Sequence, residues 1–300
     1  MQVRHWVVGG VLVLALGGAY ILGVHVSAPP APGSARRPQE GLSAMLDRTL
    51  AAAGGSSASS SAAASQIQPA VTPPAAGADS GFGFANVEAL ARQRSQQPYE
   101  AGSAKLPSAI AHLSYDQYQS IRFRRADALW RNQSLYEVQF FHRGFNFDRR
   151  VAISEVVEGA PRAVPYNPAW FDFGKVVRQP GKLPRDLGYA GFRIHYPLHT
   201  PGYKDEVIVF LGASFFRVLG RNQEYGLTAR GLAINTASKG GEEFPWFTDF
   251  WLVRPTDPEQ RTLTLYALLD SESITGAYQF TVRPGGITQV EVTNTPPTTQ

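Results

Sequence analysis

The chain of 300 residues has no cysteine. That excludes disulfides, thiolate metal sites and cysteine nucleophiles together, whatever the redox compartment. Charge is sparse as well: only 17% of residues are Asp, Glu, Lys or Arg, and 28 basic against 24 acidic residues leave a net charge of +4. Phosphate backbones are held by clustered cations rather than by a small average excess, so a nucleic-acid partner has no support. No glycine-rich loop leads into Lys-Ser or Lys-Thr, and no Gly-x-Ser-x-Gly elbow is present. Nucleotide hydrolysis and α/β-hydrolase chemistry are therefore left without their usual framework. No internal repeat is visible, and no nucleotide, metal or other cofactor is called for.

What is present is unevenly distributed. Trp6 to Val26 form an almost unbroken apolar run behind Met1-Gln2-Val3-Arg4-His5. About 20 such residues suffice to span a bilayer as a helix, whereas a secretory core is shorter. Residues 1–26 are thus expected to form a transmembrane anchor or a cleaved signal peptide, with everything after them outside the cytoplasm. Arg4 ahead of the run points to a cytoplasmic N-terminus, and the absence of an arginine pair ahead of the run to the general secretion route. Residues 27–80 collapse to Ala, Ser, Gly and Pro. Such a composition lacks the large apolar side chains that offset ordering entropy, so a disordered linker is expected. Within it, Leu42 to Leu50 is the one segment with the makings of a helical turn.

Residues 81–300 form the folded part. Val87, Leu90 and Ala91 at i, i+3 and i+4 predict a short amphipathic helix within Asn86 to Gln97, ended by Pro98. Ser114 with Gln117 three positions on fits a capping box and a second short helix. Beyond this, alternation dominates. Leu263, Leu265, Ala267 and Leu269 share one face of a strand, as do Tyr278, Phe280 and Val282. Further strands are predicted at 136–142, 151–157, 191–197, 206–211, 250–254 and 288–292. Short strands separated by Gly and Pro turns point to an all-β, antiparallel sandwich.

Three groups of polar residues bear on function. His195 and His199 are four apart, but Pro197 between them belongs to a strand, so they read as solvent-facing or loop histidines rather than a metal pair. Arg122, Arg124, Arg125, Arg149 and Arg150 read as solvated strand edges. The segment from Gly241 to Trp251 interleaves Glu242, Glu243 and Asp249 with Phe244, Trp246, Phe247, Phe250 and Trp251. Flat rings offer apolar faces to sugars and carboxylates accept hydroxyl hydrogen bonds, so this segment has the composition of a saccharide surface. The same composition also suits a turn entering a core strand with Phe250 or Trp251 packed inward.

Five segments carry a family resemblance: Phe141-His142-Arg143-Gly144; Asp186 to Arg193; Phe210 to Arg217; Tyr225 to Ile234; and Tyr266 to Ser271 continued by Thr275-Gly276-Ala277-Tyr278. In order and spacing they resemble the periplasmic glucan biosynthesis protein family, the G and D type proteins of osmoregulated periplasmic glucans in Gram-negative bacteria. The resemblance implies a sandwich of the galactose-mutarotase type and a periplasmic role in making or trimming β-1,2-linked glucans. Some members of the family are β-1,2-glucanases. It also implies that the family's glycoside-cleaving carboxylates fall beyond Gln300, which leaves the catalytic set empty, the sandwich incomplete and the protein truncated at its C-terminal end. A β-glucan is the expected partner, with the inner membrane as a second if the N-terminal helix is retained. The candidate carbohydrate-binding residues are Tyr225, Arg230, Glu242, Glu243, Trp246, Asp249 and Asp270. The alternative is an inactive relative of the glucanases acting as a carbohydrate-binding or scaffold module.

Overall fold

The computed structural model describes residues 81–300 apart from 103–104, 224–225, 286–287, 295–297 and 300, together with residues 13–16 and 19–23. The first two strands are β1 (Val13–Leu16) and β2 (Ala19–Gly23), followed by helices α1 (Phe84–Arg94), α2 (Ser108–Ala111) and α3 (Tyr115–Ser120). Then come β3 (Arg122–Phe123), β4 (Glu137–Phe141), β5 (Ala152–Val157), β6 (Ala160–Ala163) and β7 (Phe171–Asp172). A long hairpin follows, β8 (Gly191–Thr200) and β9 (Tyr203–Leu211), then β10 (Phe215–Val218) and β11 (Leu227–Arg230). The last strands are β12 (Trp246–Val253), β13 (Leu263–Asp270), β14 (Ile274–Arg283), β15 (Gln289–Asn294) and β16 (Thr298–Thr299).

Two sheets make the body. One has nine strands in the order β1-β2-β15-β14-β13-β12-β5-β6, with β16 also on β14; the other runs β11-β10-β9-β8-β4. The predicted alternation decides which faces meet. Leu263, Leu265, Ala267 and Leu269 are fully buried, as are Phe280 and Val282 of the neighbouring strand. Across the interface Phe210 stacks on Phe192 at 5.1 Å within its own sheet and meets Phe250 at 5.0 Å and Phe280 at 5.1 Å in the other. Each such ring withdrawn from water stabilises the fold by roughly 1.5–3 kcal/mol.

The all-β sandwich is as expected, with one difference: β5 and β12 pair in parallel, while every other named strand pair is antiparallel. The chain between Val157 and Trp246 lays down four of the five strands of the second sheet, β8 to β11. A short turn forces antiparallel pairing, and a long excursion removes that constraint. In the expected N-terminal helix the described residues are the strands β1 and β2, which pair with each other and, through β2, with β15. The remainder of 1–26, and the linker including Leu42 to Leu50, lie outside the described residues. Among the described residues, no helix is long and apolar enough to cross a membrane.

The helices form as their caps dictate. At α3 the Ser114 hydroxyl accepts from the Gln117 N–H at 3.3 Å and the Gln117 side chain accepts from the Ser114 N–H at 2.8 Å. Helix α1 lays Val87, Leu90 and Ala91 on the outward face of the nine-stranded sheet, against Trp251, Leu268 and Ala277. Its start is fixed where Gly81 and Gly159 touch: a Cβ on Gly159 would lie 2.8 Å from the Gly81 Cα, and the Phe82 N–H donates to the Gly159 carbonyl at 2.7 Å.

Candidate functional site

The site is built by a bulge. In the β12–β13 ladder Trp246 opposes Asp270 and Phe247 opposes Leu269, but Asp249 opposes Leu268. Thr248 is the extra residue, and beyond it every side chain of β12 changes face. Phe250 therefore points into the core, while Asp249 and Trp251 point outward with Trp246, Leu268 and Asp270.

Helix α1 roofs this outward face and leaves a cleft of about 50 Å³. Leu90 of α1 with Trp251 and Leu268 of the sheet form its apolar walls; Gln93, Arg94, Gln97 and Asp249 form its polar rim. Arg94 also reaches beyond the rim, where its Nε lies 3.9 Å from Oδ2 of Asp270. Asp270 is only 2% exposed, and its Oδ1 is buried without a hydrogen-bond partner. Burial pushes the Asp270 carboxyl up to about 6 against the lowering field of Arg94. Burial likewise raises Asp249, opposed by the Thr248 hydroxyl, which donates to Oδ2 at 2.7 Å, and by Arg94 and Arg150. Two carboxyl groups, two guanidiniums and an amphiphilic cleft thus converge on one end of the sheet.

Trp246 completes this end. The Arg149 guanidinium lies 4.5 Å from the centroid of its indole, and Arg149 Nη1 donates to the Tyr99 hydroxyl at 3.1 Å. Arg149 is not the solvated edge its sequence neighbours suggested: a cation loses less by leaving water when an electron-rich ring receives it.

The other candidates fall elsewhere. Glu242 pairs with Arg230 of β11, whose guanidinium also lies 5.5 Å from the Phe215 ring and 5.9 Å from the Phe244 ring. Glu243 turns the opposite way, accepting from the Ser273 N–H at 3.0 Å and the Ser273 hydroxyl at 2.7 Å in the β13–β14 turn. Burial would raise Glu243, but the Ser271 and Ser273 donors outweigh it and hold the group below its usual range. Adjacent glutamates thus tie the crossover segment to one sheet each, and neither lines the cleft. Tyr225 lies outside the described residues.

His195 is also placed differently from its expectation. It stands in register between Glu137 on β4 and Glu206 on β9, with Nδ1 buried and unpartnered, and burial pushes it down to about 4. A strand residue faces water only where its sheet face is open; here Arg193 and Arg217 gather on Glu206 and shield the row. His199 pairs with Asp205 at 3.0 Å. No group of three potential ligands for a metal ion occurs among the described residues.

Residues 82–295 match the family described as periplasmic glucan biosynthesis protein, MdoG. The chain belongs to this family. It is 51% identical over 219 residues to the glucans biosynthesis protein G of Ralstonia nicotianae, covering 73% of this chain and 43% of that one. A protein of the same name from Rhodopseudomonas palustris strain BisA53 is 51% identical over 207 residues, 69% of this chain and 41% of its own. One from Vibrio cholerae is 46% identical over 205 residues, 68% and 37% respectively. The chain spans about two-fifths of the length of these relatives. The matched region of this glucan biosynthesis family member takes in the five-stranded sheet, β5, β6 and β12 to β15 of the nine-stranded one, α1 and every residue of the cleft.

Sequence reasoning missed Arg94, Gln93, Gln97, Arg149 and Tyr99. One signal was available for two of them: Gln93 and Arg94 stand at i+3 and i+4 from the buried Leu90 of α1. Nothing local tied Arg149 or Tyr99 to Trp246, which lies far from both along the chain.

Proposed function

We propose that this protein binds the backbone of a β-linked glucan in the periplasm, at the outward end of β12 and β13, and serves the biosynthesis of osmoregulated β-1,2-glucans. The observation that carries the reading is the convergence of Trp246, Asp249 and Asp270 on one sheet face. An indole offers a sugar ring a flat apolar surface, and the carboxyl groups beside it exchange hydrogen bonds with hydroxyls. Family membership and the names of the relatives support glucan as the ligand. The apolar run at 6–26 is the export signal or inner-membrane anchor in this reading, and the fold is the galactose-mutarotase type of sandwich.

The test is a titration of the full chain with linear β-1,2-glucan, followed by tryptophan fluorescence. A saturable change that disappears in Trp246→Ala supports the site. A folded protein that gives no change, or a variant that binds as the parent does, overturns it and leaves the scaffold alternative.

A further inference from the structure

We propose that the cleft under α1 is a pocket for the exocyclic hydroxymethyl group of a hexopyranose, with the amides of Gln93 and Gln97 as its specificity-determining groups. This rests on the saccharide reading of the neighbouring Trp246 surface and adds which part of the sugar enters and what it excludes.

The size of the cleft selects the occupant. Its volume of about 50 Å³ admits roughly three to five water-sized groups at about 10–15 Å³ each. A CH₂OH arm with its solvating neighbour fits that space.

The lining selects the same group by chemistry. Leu90, Trp251 and Leu268 give the methylene apolar walls, and Asp249 on the rim accepts from a hydroxyl. Gln93 stands on the closing turn of α1 and Gln97 just after the helix, and both line the cleft. Both are exposed, and the side-chain amide of neither is engaged by another described residue. Each has a donor and an acceptor free for one hydroxyl oxygen. In a β-1,2-linked glucan the linkages consume O1 and O2, so every residue keeps its C6 hydroxyl for this contact. A 6-deoxy sugar keeps the methyl but offers the polar rim no hydroxyl.

The experiment compares a linear β-1,2-gluco-oligosaccharide with its 6-deoxy analogue of equal length, binding to the full chain, to the double variant Gln93→Ala/Gln97→Ala and to Trp246→Ala. The 6-deoxy analogue is expected to bind the parent about tenfold more weakly, since two or more neutral hydrogen bonds are lost. In the double variant the gap should shrink to about twofold, through weaker binding of the hexose alone. Both glutamines are exposed, so the variant folds as the parent does. Equal affinity of the parent for the two ligands, or equal weakening of both in the double variant, overturns the hydroxymethyl pocket. Trp246→Ala separates this from the broader reading: it should weaken both ligands alike, and a parent that binds neither overturns both proposals.

Discussion

Trp246 and Asp270 face one another across the β12–β13 ladder, and each is held by an arginine from a different part of the sequence, Arg149 on the indole and Arg94 beside the carboxylate. The pair makes the ring and the acid parts of one surface, so their energetics are accessible to separate measurements.

The indole responds to its cation. Replacing Arg149 with Ala removes a cation–π contact of about 0.5–2 kcal/mol and unties Tyr99. The emission maximum of Trp246 is expected to shift to the red as water takes the vacated face, while the far-ultraviolet dichroism stays unchanged. An unaltered spectrum would place the ring outside the influence of Arg149.

The acid sets a pH dependence. Asp270 titrates at about 6 in the fold against an ordinary 3.8. A group raised by folding contributes stability that is full below its unfolded value and is lost as pH rises through the folded one. Between pH 4 and 7 this amounts to on the order of 2 kcal/mol. Asp270→Asn cannot ionise, so its melting temperature relative to the parent should rise as pH goes from 4.5 to 7.5. A difference flat across that range would mean that Asp270 titrates as a free carboxylate.

Arg94 opposes the effect of burial on both acids. Arg94→Met should therefore move the Asp270 titration above 6, read by carboxyl carbon NMR, and raise Asp249 in the same direction. No movement in either would remove Arg94 from the electrostatics of the site.

The roof depends on a close approach at its far end. Gly159 has φ +76°, and a Cβ there meets the Gly81 backbone at 2.8 Å. Gly159→Ala should push the start of α1 off the sheet, by a strain on the order of 1–3 kcal/mol. The measurement is amide exchange: α1 should exchange faster while β13 and β14 keep their protection.

The core gives the largest expected loss. Phe210 touches rings of both sheets, and Phe210→Ala should cost about 3–5 kcal/mol in urea unfolding. A loss near 1 kcal/mol would mean that the two sheets repack around the cavity.

Much of this architecture was legible in the residues alone. Alternation over Leu263 to Leu269 and over Tyr278 to Val282 named the buried faces, because a strand buries every second side chain whatever it pairs with. The Ser114 cap and the stripe Val87, Leu90, Ala91 were equally local, since their partners lie within a turn. The family resemblance likewise needed only the order of motifs. The cleft was a different matter. Alternation carried straight through β12 would put Trp246 and Phe250 on one face and Asp249 on the other. The bulge at Thr248 reverses this, in a strand that pairs β13 on one side and β5 in parallel on the other. The same holds for Arg94 beside Asp270 and Arg149 on Trp246, where about a hundred residues or more separate the partners. The order of residues is enough to settle the class of fold, its buried faces and the family. Which acids share a face, which arginines hold them and where the space for a ligand remains are settled in the folded molecule, because they depend on pairings between distant segments that no local pattern encodes.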